Sequence, residues 1–463
     1  MFTALLSAST AQEKKPNFII IFTDDQGYQD LGCYGSPTIK TPHIDQMAKE
    51  GMRFTSFYAQ TVCGPSRAAL MTGCYPQRVA RNDSDKDLHP KLALSEITIA
   101  EILKKKGYAT AMYGKWDLAG HTQVKFNPKL GPLQQGFDTA FWTPSSNDHK
   151  INHYRDNKLV KINDNMALAT KKYTDEAIGF ILEKKSQPFF IYLAHIMPHI
   201  RLDATEQFKG KSQGGLYGDT VEEIDFNVGR ILETLKKTGL DENTYVIFTS
   251  DNGPWWIARE HGGSALPLRG AKCSTFEGGL RVPFIIRAPG KVPAGLTCDS
   301  VAASIDLLPT IAALSGNQAP SDRTIDGIDI SPLFHGTKKT IEREFFYYAF
   351  TLLRAVRKGK WKLHIPNIPT DNNYFSKIFK DMVAKGDSGW TDKYLLYDLD
   401  TDISEKTNLA EKHPEIVKEL KKYIEWIRED LGDSSKRGKN ARPVGTEKYL
   451  GPKVDQKEHK ELY

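Results

Sequence analysis

Residues able to do chemistry stand directly after four apolar, β-rich runs. Asp24-Asp25 follow N-F-I-I-I-F-T, Lys115 and Asp117 follow Tyr108–Tyr113, His195 and His199 follow P-F-F-I-Y-L-A, and Asp251-Asn252 follow T-Y-V-I-F-T. Ligands of open α/β sheets bind beyond the carboxyl ends of the strands, so these side chains are expected along one rim. Taken singly, an Asp-Asp or Asp-Asn-Gly is ordinary turn chemistry. Two such pairs ending two strands of one sheet, however, offer a set of hard oxygen ligands from rigid positions, which suits Ca²⁺ or Mg²⁺ better than zinc. A further candidate is Cys63 in C-G-P-S-R-A-A-L-M-T-G. Pro65 suits the first turn of a helix and Ser66 to Met71 is a good helical run. Cys63 is therefore expected just ahead of a helix N-terminus, where backbone N–H groups favour an anion. Arg67 adds a planar fork of donors for a tetrahedral oxyanion. The competing reading of Cys63 is a buried structural thiol.

The elements that must position these groups follow from periodicity. Apolar β-rich runs alternate with amphipathic stretches, the pattern of an α/β sheet covered on both faces. Strands are predicted at Asn17–Thr23, Tyr108–Tyr113, Pro188–Ala194, Thr244–Thr249 and Val282–Arg287, and helices at Ile97–Lys106, Met166–Lys185, Tyr217–Lys237 and Ile305–Leu314. After about Gly336 the texture changes to three strand-like stretches, F-F-Y-Y-A-F, L-R-A-V-R-K-G-K-W-K-L-H-I and Y-L-L-Y-D-L-D, for which antiparallel pairing is the simplest arrangement. A helix over His413–Leu431, with Ile416, Leu420, Tyr423, Ile424 and Ile427 on one face, is expected to pack on them. The polar tail from Gly432 is expected to wrap the surface. The predicted organisation is thus residues 1–15 as the remnant of a secretory signal, 16–336 as a catalytic α/β unit, and 337–463 as a smaller α+β unit with a polar tail.

Composition sets the class. The chain has 463 residues, 40% apolar, 26% charged and 10% aromatic, enough for a large core, which excludes a disordered or fibrous protein. The net charge of +6 is scattered along the chain, so anionic partners are favoured while no nucleic acid is required. Mean hydropathy is -0.46 and no apolar run reaches the ~18 residues a membrane span needs. Met1 to Gln12 resembles the back half of a secretory signal without its positive start, which points to a periplasmic or secreted protein. The cysteines are Cys33, Cys63, Cys74, Cys273 and Cys298, an odd count with no C-x-x-C pair. They are too few for a disulfide scaffold, their pairing is open, and at least one needs another explanation.

The Cys63–Gly73 segment resembles the signature of the sulfatase family, C-x-P-S-R-x-x-x-x-T-G, with Cys63, Pro65, Ser66, Arg67, Thr72 and Gly73 in register. Family-like blocks follow in order: P-N-F-I-I-I-F-T-D-D-Q-G-Y, T-P-H-I-D-Q-M-A-K-E-G-M-R-F-T, Y-G-K-W, M-P-H, T-S-D-N-G, P-L-R-G-A-K-C-S-T-F-E-G-G-L-R-V-P and R-A-V-R-K-G-K-W-K-L. The resemblance covers Pro16 to about Leu431. It implies an alkaline-phosphatase-like fold: a large mixed, mostly parallel sheet sandwiched by helices, with a smaller C-terminal α+β part that carries an antiparallel sheet and one helix.

For chemistry, the resemblance implies that a maturation enzyme oxidises Cys63 to Cα-formylglycine, whose hydrate attacks sulfur. It further implies one Ca²⁺ held by Asp24, Asp25, Asp251, Asn252 and the modified residue 63. Arg67, Lys115 and Lys272 would neutralise the sulfate oxygens, Asp251 would assist deprotonation of the attacking hydroxyl, and His199 would protonate the departing alcohol. One position departs from the pattern: after Lys-Trp the family usually has His, whereas here Asp117 stands, with His121 nearby in sequence. A carboxylate accepts a proton but repels a sulfate, so breakdown of the intermediate is the step this departure affects.

The expected activity is that of a sulfuric ester hydrolase acting on a sulfated carbohydrate, such as carrageenan or a glycosaminoglycan. Candidate substrate contacts are His195, Arg201, Trp255, Arg259, His261 and Arg269, with Trp256 beside them. For His195 a buried rim histidine is the favoured reading, for Arg201 a plain surface arginine, and for the tryptophans core packing competes equally with stacking on sugar rings. Two other functions remain open: a phosphate or phosphonate ester hydrolase of the same superfamily, and a catalytically degenerate sulfated-glycan binding protein.

Overall fold

The computed structural model describes residues 14–80, 91–120, 128–148, 150–366, 385–434 and 436–446. Residues 1–13 of the expected signal remnant (1–15) and His121 lie outside the described residues, as does the end of the tail. Eleven strands form the main sheet: β1 (Asn17–Thr23), β2 (Met52–Tyr58), β3 (Ala109–Lys115), β4 (Thr139–Thr143), β5 (Ile151–Arg155), β6 (Lys158–Asp164), β7 (Phe189–Ala194), β8 (Thr244–Ser250), β9 (Arg281–Arg287), β10 (Leu296–Cys298) and β11 (Ala302–Ala303). The order is β10-β2-β9-β8-β1-β7-β3-β4-β5-β6, with β11 also on β2. Pairing is parallel at β8-β1, β1-β7, β7-β3 and β3-β4, and antiparallel around β9 and β5. The sheet is therefore mixed and mostly parallel, as expected.

Both faces are covered. Along β1, Phe18, Ile20 and Phe22 enter one core and Ile19 and Ile21 the other, so every residue of the strand is buried. That is why it reads as an unbroken apolar run instead of an alternating one. Helices Ala169–Glu183 and Gly215–Lys237 pack in the second core, and Ile99–Lys104, Cys63–Thr72 and Leu307–Leu314 in the first. The predicted helix starts at Met166 and Ile305 fall on single 3-10 turns that lead into α-helices beginning at Ala169 and Leu307.

Five predicted strands are present within one or two residues, but β2, β4, β5, β6, β10 and β11 were not legible in the sequence. β2 is antiparallel to β9, which is antiparallel to β8, so β2 runs in the same direction as β1 and delivers its end to the same rim. At Gly114 in β3 a side chain is excluded: the residue has φ 112°, and a Cβ would come 1.8 Å from the Ala194 carbonyl oxygen.

A second, antiparallel sheet has the order β12 (Glu344–Ala349), β13 (Leu352–Lys358), β14 (Trp361–His364), β15 (Leu395–Asp398). The helix Pro414–Asp430 buries Leu420, Ile424 and Ile427 in the core of this sheet, with Ile416 and Tyr423 at its margin. A buried ionic network joins the two sheets. Lys362 Nζ lies 2.9 Å from Glu277 Oε1 and 2.8 Å from Glu405 Oε1. Glu277 also accepts from Tyr347 OH at 2.8 Å and faces Arg281 at 3.2 Å. Burial alone would raise the Glu277 pKa, but Lys362, Arg281 and Arg357 outweigh it and hold the carboxyl far below the usual range. The described part of the tail crosses back to the main unit, where the Arg442 guanidinium pairs with Glu96 at 2.8 Å.

Candidate active site

The strand ends converge as the sequence suggested. Asp24 and Asp25 follow β1, Asp251 and Asn252 follow β8, His199 lies beyond β7, and Lys115 is the last residue of β3. Lys272 comes from the loop that precedes β9, whose reversed direction brings its start to the same rim. Cys63 arrives from the end of β2. It is the first residue of the helix Cys63–Thr72, not a residue just ahead of it, because Val62 is the extended N-cap. Gly73 closes that helix in the left-handed conformation at φ 69°. Arg67, one turn after Cys63, falls on the same helix face.

The cluster is almost fully buried and closely paired. Lys115 Nζ donates to Asp24 Oδ2 at 2.7 Å, and Lys272 Nζ lies 2.7 Å from Asp25 Oδ1. Arg67 Nη2 donates to Asp251 Oδ2 at 2.8 Å and lies 3.5 Å from Asp24 Oδ2. Asn252 Nδ2 donates to Asp25 Oδ1 at 2.7 Å. The Cys63 thiol is 3.2 Å from Asp24 Oδ1 and 3.3 Å from Lys272 Nζ. His199 Nε2 stands 3.6 Å from Asp25 Oδ2. Three carboxylates thus face three cations, and Asp117, 3.7 Å from Lys115 Nζ, adds a further negative charge. Asp25 and Asp117 hold left-handed backbone conformations at φ 63° and 55°, as does Cys273 beside Lys272 at 72°. Such local strain persists only where surrounding contacts enforce it.

These charges set protonation. Burial would raise Asp24, yet Lys115, His199 and Arg67 outweigh it and hold its carboxyl well below the ordinary value. Asp251 is pushed up to about 7 by burial and by the Asp24 carboxylate. Burial, with Asp24 and Asp251 beside it, drives the Cys63 thiol well above its usual value, so the unmodified side chain is a neutral thiol and a poor nucleophile.

The donor set fits a hard divalent cation. Carboxylate oxygens of Asp24 and Asp25 and the Cys63 Sγ fall in one group, together with a His199 nitrogen, whose atoms lie within 4.8 Å of one another. Asn252, which touches Asp25 through Nδ2, has a buried Oδ1 with no hydrogen-bond partner among the described residues, an acceptor with an unmet need beside the carboxylates. Asp24, Asp25, Asp251 and Asn252 would supply the oxygens. Cys63 fits conversion to an aldehyde hydrate equally well: its Sγ marks a position between a carboxylate and a lysine, at a helix N-terminus that favours negative charge.

The outer candidates divide. Arg201 is exposed two residues beyond His199. Trp255 is half-buried, with the Lys272 ammonium 5.0 Å from its ring centroid, so it roofs the cluster. His261 is exposed at the end of the 3-10 helix Trp256–His261, and the Arg259 side chain lies outside the described residues. Two expected substrate contacts are corrected. His195 is 1% exposed, and burial pushes its pKa down to about 3, so it is a neutral ring beneath the rim, in line with the reading favoured for it. Arg269 is turned to the C-terminal part: Nε donates to Asp387 Oδ1 at 2.9 Å, Nη2 to the Gly386 carbonyl at 2.7 Å and Nη1 to the Glu405 carbonyl at 3.0 Å. The guanidinium also stacks on Phe276 at 3.9 Å.

Two residues of the site were missed. Ser146 Oγ accepts from Lys115 Nζ at 2.7 Å, and Asn147 bonds the His199 segment. Both follow β4, whose short T-A-F-W-T does not mark a strand by itself, so T-P-S-S-N-D carries no strand-end signal in the sequence. All five cysteines are free thiols.

Comparison with known proteins gives a consistent result. The sulfatase family model matches residues 16–317, and the model for the C-terminal region of aryl-sulfatase matches residues 340–447. The N-acetylgalactosamine-6-sulfatase of Rattus norvegicus is 40% identical over 392 residues, which span 78% of this chain and 73% of that protein. A solved structure concerned with metabolism of multiple glycosaminoglycans by Bacteroides thetaiotaomicron is 28% identical, with a TM-score of 0.78 over 90% of this chain and 99% of its own. A second, Ps i-CgsB in complex with k-i-k-neocarrahexaose, is 27% identical, with a TM-score of 0.76 over 92% of this chain and 95% of its own.

Proposed function

This chain belongs to the sulfatase family, and from that premise we propose that it is a Ca²⁺-dependent, formylglycine-bearing sulfuric ester hydrolase that removes sulfate from a carbohydrate such as a glycosaminoglycan or carrageenan. The observation that carries the reading is the burial of Cys63 at a helix N-terminus among Asp24, Asp25, Asp251, Asn252, Lys115, Lys272 and Arg67. Once in place, the cation and the formylglycine hydrate supply positive charge on the sulfate oxygens and a hydroxyl nucleophile, respectively.

The chain's own residues do the rest. Lys115, Lys272 and Arg67 are fixed before substrate arrives and neutralise charge that grows on the sulfate oxygens, which is where preorganised cations lower a barrier most. Asp251 takes up a proton at its carboxylate from the attacking hydroxyl. His199 holds a proton at Nε2 for the oxygen of the departing sugar alcohol. Asp117 stands at the position of the family histidine, where its carboxylate would accept a proton from a hydroxyl at residue 63. Trp255 offers a face for a sugar ring, and Arg201 and His261 face solvent where a polyanionic chain would lie.

A polysaccharide substrate does not cross a membrane, and a periplasmic or secreted enzyme is the location this reading favours. Among the described residues no helix is long and apolar enough to cross a membrane.

The test is co-expression with a formylglycine-generating maturation enzyme, the mass of the peptide that contains Cys63, and sulfate release from a panel of sulfated oligosaccharides. Conversion with release is expected. Faster release from phosphate esters at matched leaving groups would overturn the sulfate assignment, and tight glycan retention with full conversion but no turnover would make the chain a binding protein.

A further inference from the structure

We propose that Asn147 is a positioning residue that fixes the tautomer of His199, so that the proton for the departing alcohol is exchanged at Nε2. The inference rests on the assignment of His199 as proton donor made above.

Asn147 is fully buried in the segment after β4. Its amide is surrounded by groups whose roles are fixed. Nδ2 lies 3.0 Å from the His199 carbonyl oxygen and 2.6 Å from that of Arg201. Peptide carbonyls only accept, so this end of the amide has to be the NH₂ group. The sulfurs of Met166 at 3.6 Å and Met197 at 4.0 Å, weak acceptors both, lie at the same end. The orientation of the amide is therefore dictated by its neighbours, which removes the usual O/N ambiguity. Oδ1 must then point to His199, where it is 3.1 Å from Nδ1. An acceptor in that place requires a hydrogen on Nδ1; the Ile200 carbonyl oxygen also lies against Nδ1, and it is held there by the Asn147 bonds to the flanking His199 and Arg201 carbonyls, so loss of the amide releases both acceptors.

Neutral His199 thus carries its hydrogen on Nδ1 and has its lone pair on Nε2, the nitrogen that faces Asp25 at 3.6 Å. A proton gained at Nε2 and delivered to the leaving oxygen returns the ring to this same tautomer, with no rearrangement at Nδ1. The clasp extends to the main chain, where the Arg201 N–H donates to the Asn147 carbonyl at 3.3 Å. Since the neighbouring Ser146 accepts from Lys115, the segment after β4 holds both Lys115 and His199.

Two readouts test this. ¹⁵N-histidine NMR on the unmatured Cys63 protein, which needs no turnover, is expected to show His199 as the Nδ1–H form in wild type and as a mixture or the Nε2–H form in Asn147→Leu. In the matured enzyme, Asn147→Leu is expected to lose about 100-fold in kcat on a sugar sulfate, whose alkoxide needs a proton, and less than about 3-fold on an activated aryl sulfate. An Nε2–H ring in wild type, an unchanged Nδ1–H ring in the variant, or equal losses on both esters would each overturn the proposal. Asn147→Ala serves the same purposes if the leucine variant does not fold. His199→Ala separates the two levels: equal losses on both esters would overturn the proton-donor reading, and the NMR result then decides the tautomer on its own.

Discussion

Arg67→Met isolates what one buried cation does for this site. Methionine keeps the apolar stem of the side chain and removes only the guanidinium. Arg67, Asp24 and Asp251 are all fully buried. Asp24 retains Lys115 at 2.7 Å, but among the described residues Asp251 pairs with no other cation, so the loss falls on Asp251. An ionised buried carboxylate left uncompensated costs about 3–5 kcal/mol, but Asp251 takes up a proton at about pH 7 in the folded protein, which limits the loss to about 1.4 kcal/mol per pH unit above that value. The measurement is urea unfolding of the Cys63 form at pH 8 in chelator, so that no divalent ion substitutes for the guanidinium. Asp251→Asn removes the orphaned charge, so the double variant should recover about 1 kcal/mol relative to the sum of the single losses. The deficit also has a pH sign. Without Arg67 the folded-state pKa of Asp251, already raised above its unfolded value, rises further. Stability is then lost as pH rises between the two values, so the Arg67→Met deficit should be larger at pH 8 than at pH 5. A loss below about 1 kcal/mol, or single effects that add to within about 0.5 kcal/mol, would refute the reasoning.

Adding Ca²⁺ at 100 times its dissociation constant should stabilise the protein by about 2.7 kcal/mol, read as a rise in Tm that Asp25→Asn abolishes; an unchanged Tm in wild type would remove the metal assignment. Buried His153 and His195 have pKa values pushed down to about 4 and 3, so both are neutral when folded and take up protons on unfolding below about pH 6.5. Their stabilisation is present above pH 6.5 and falls as pH drops, by about 1.4 kcal/mol each by pH 5.5, and His153→Gln should flatten that slope in an unfolding series across pH. Lys362→Met leaves Glu277 and Glu405 facing each other in the buried network between the two sheets, and should cost about 3–5 kcal/mol; a neutral effect in urea unfolding would mean the network does not join them energetically.

The strands β1, β3, β7, β8 and β9 were legible because each is a short apolar run that its own residues specify, and the chemistry after four of them could be read off with the rim rule. The sequence likewise determined the helix that starts near Cys63, through Pro65 and Gly73, and the family resemblance of its signature. Strands β2 and β4 were not legible, since M-R-F-T-S-F-Y and T-A-F-W-T mix polar with apolar residues and gain their strand character from pairing, β2 with β9 and β10 far along the chain and β4 with β3 and β5. With them were lost the route by which Cys63 reaches the rim and the roles of Ser146 and Asn147. Only the tertiary structure decided which polar residues near the site face it. Arg269 is drawn off by Asp387 and Glu405, residues more than a hundred positions later, and His195 is sealed beneath the rim. Periodicity and turn chemistry are local properties and survive in the sequence. The direction in which a buried cation or an amide points is settled by distant charges and carbonyls that only the folded chain brings within reach.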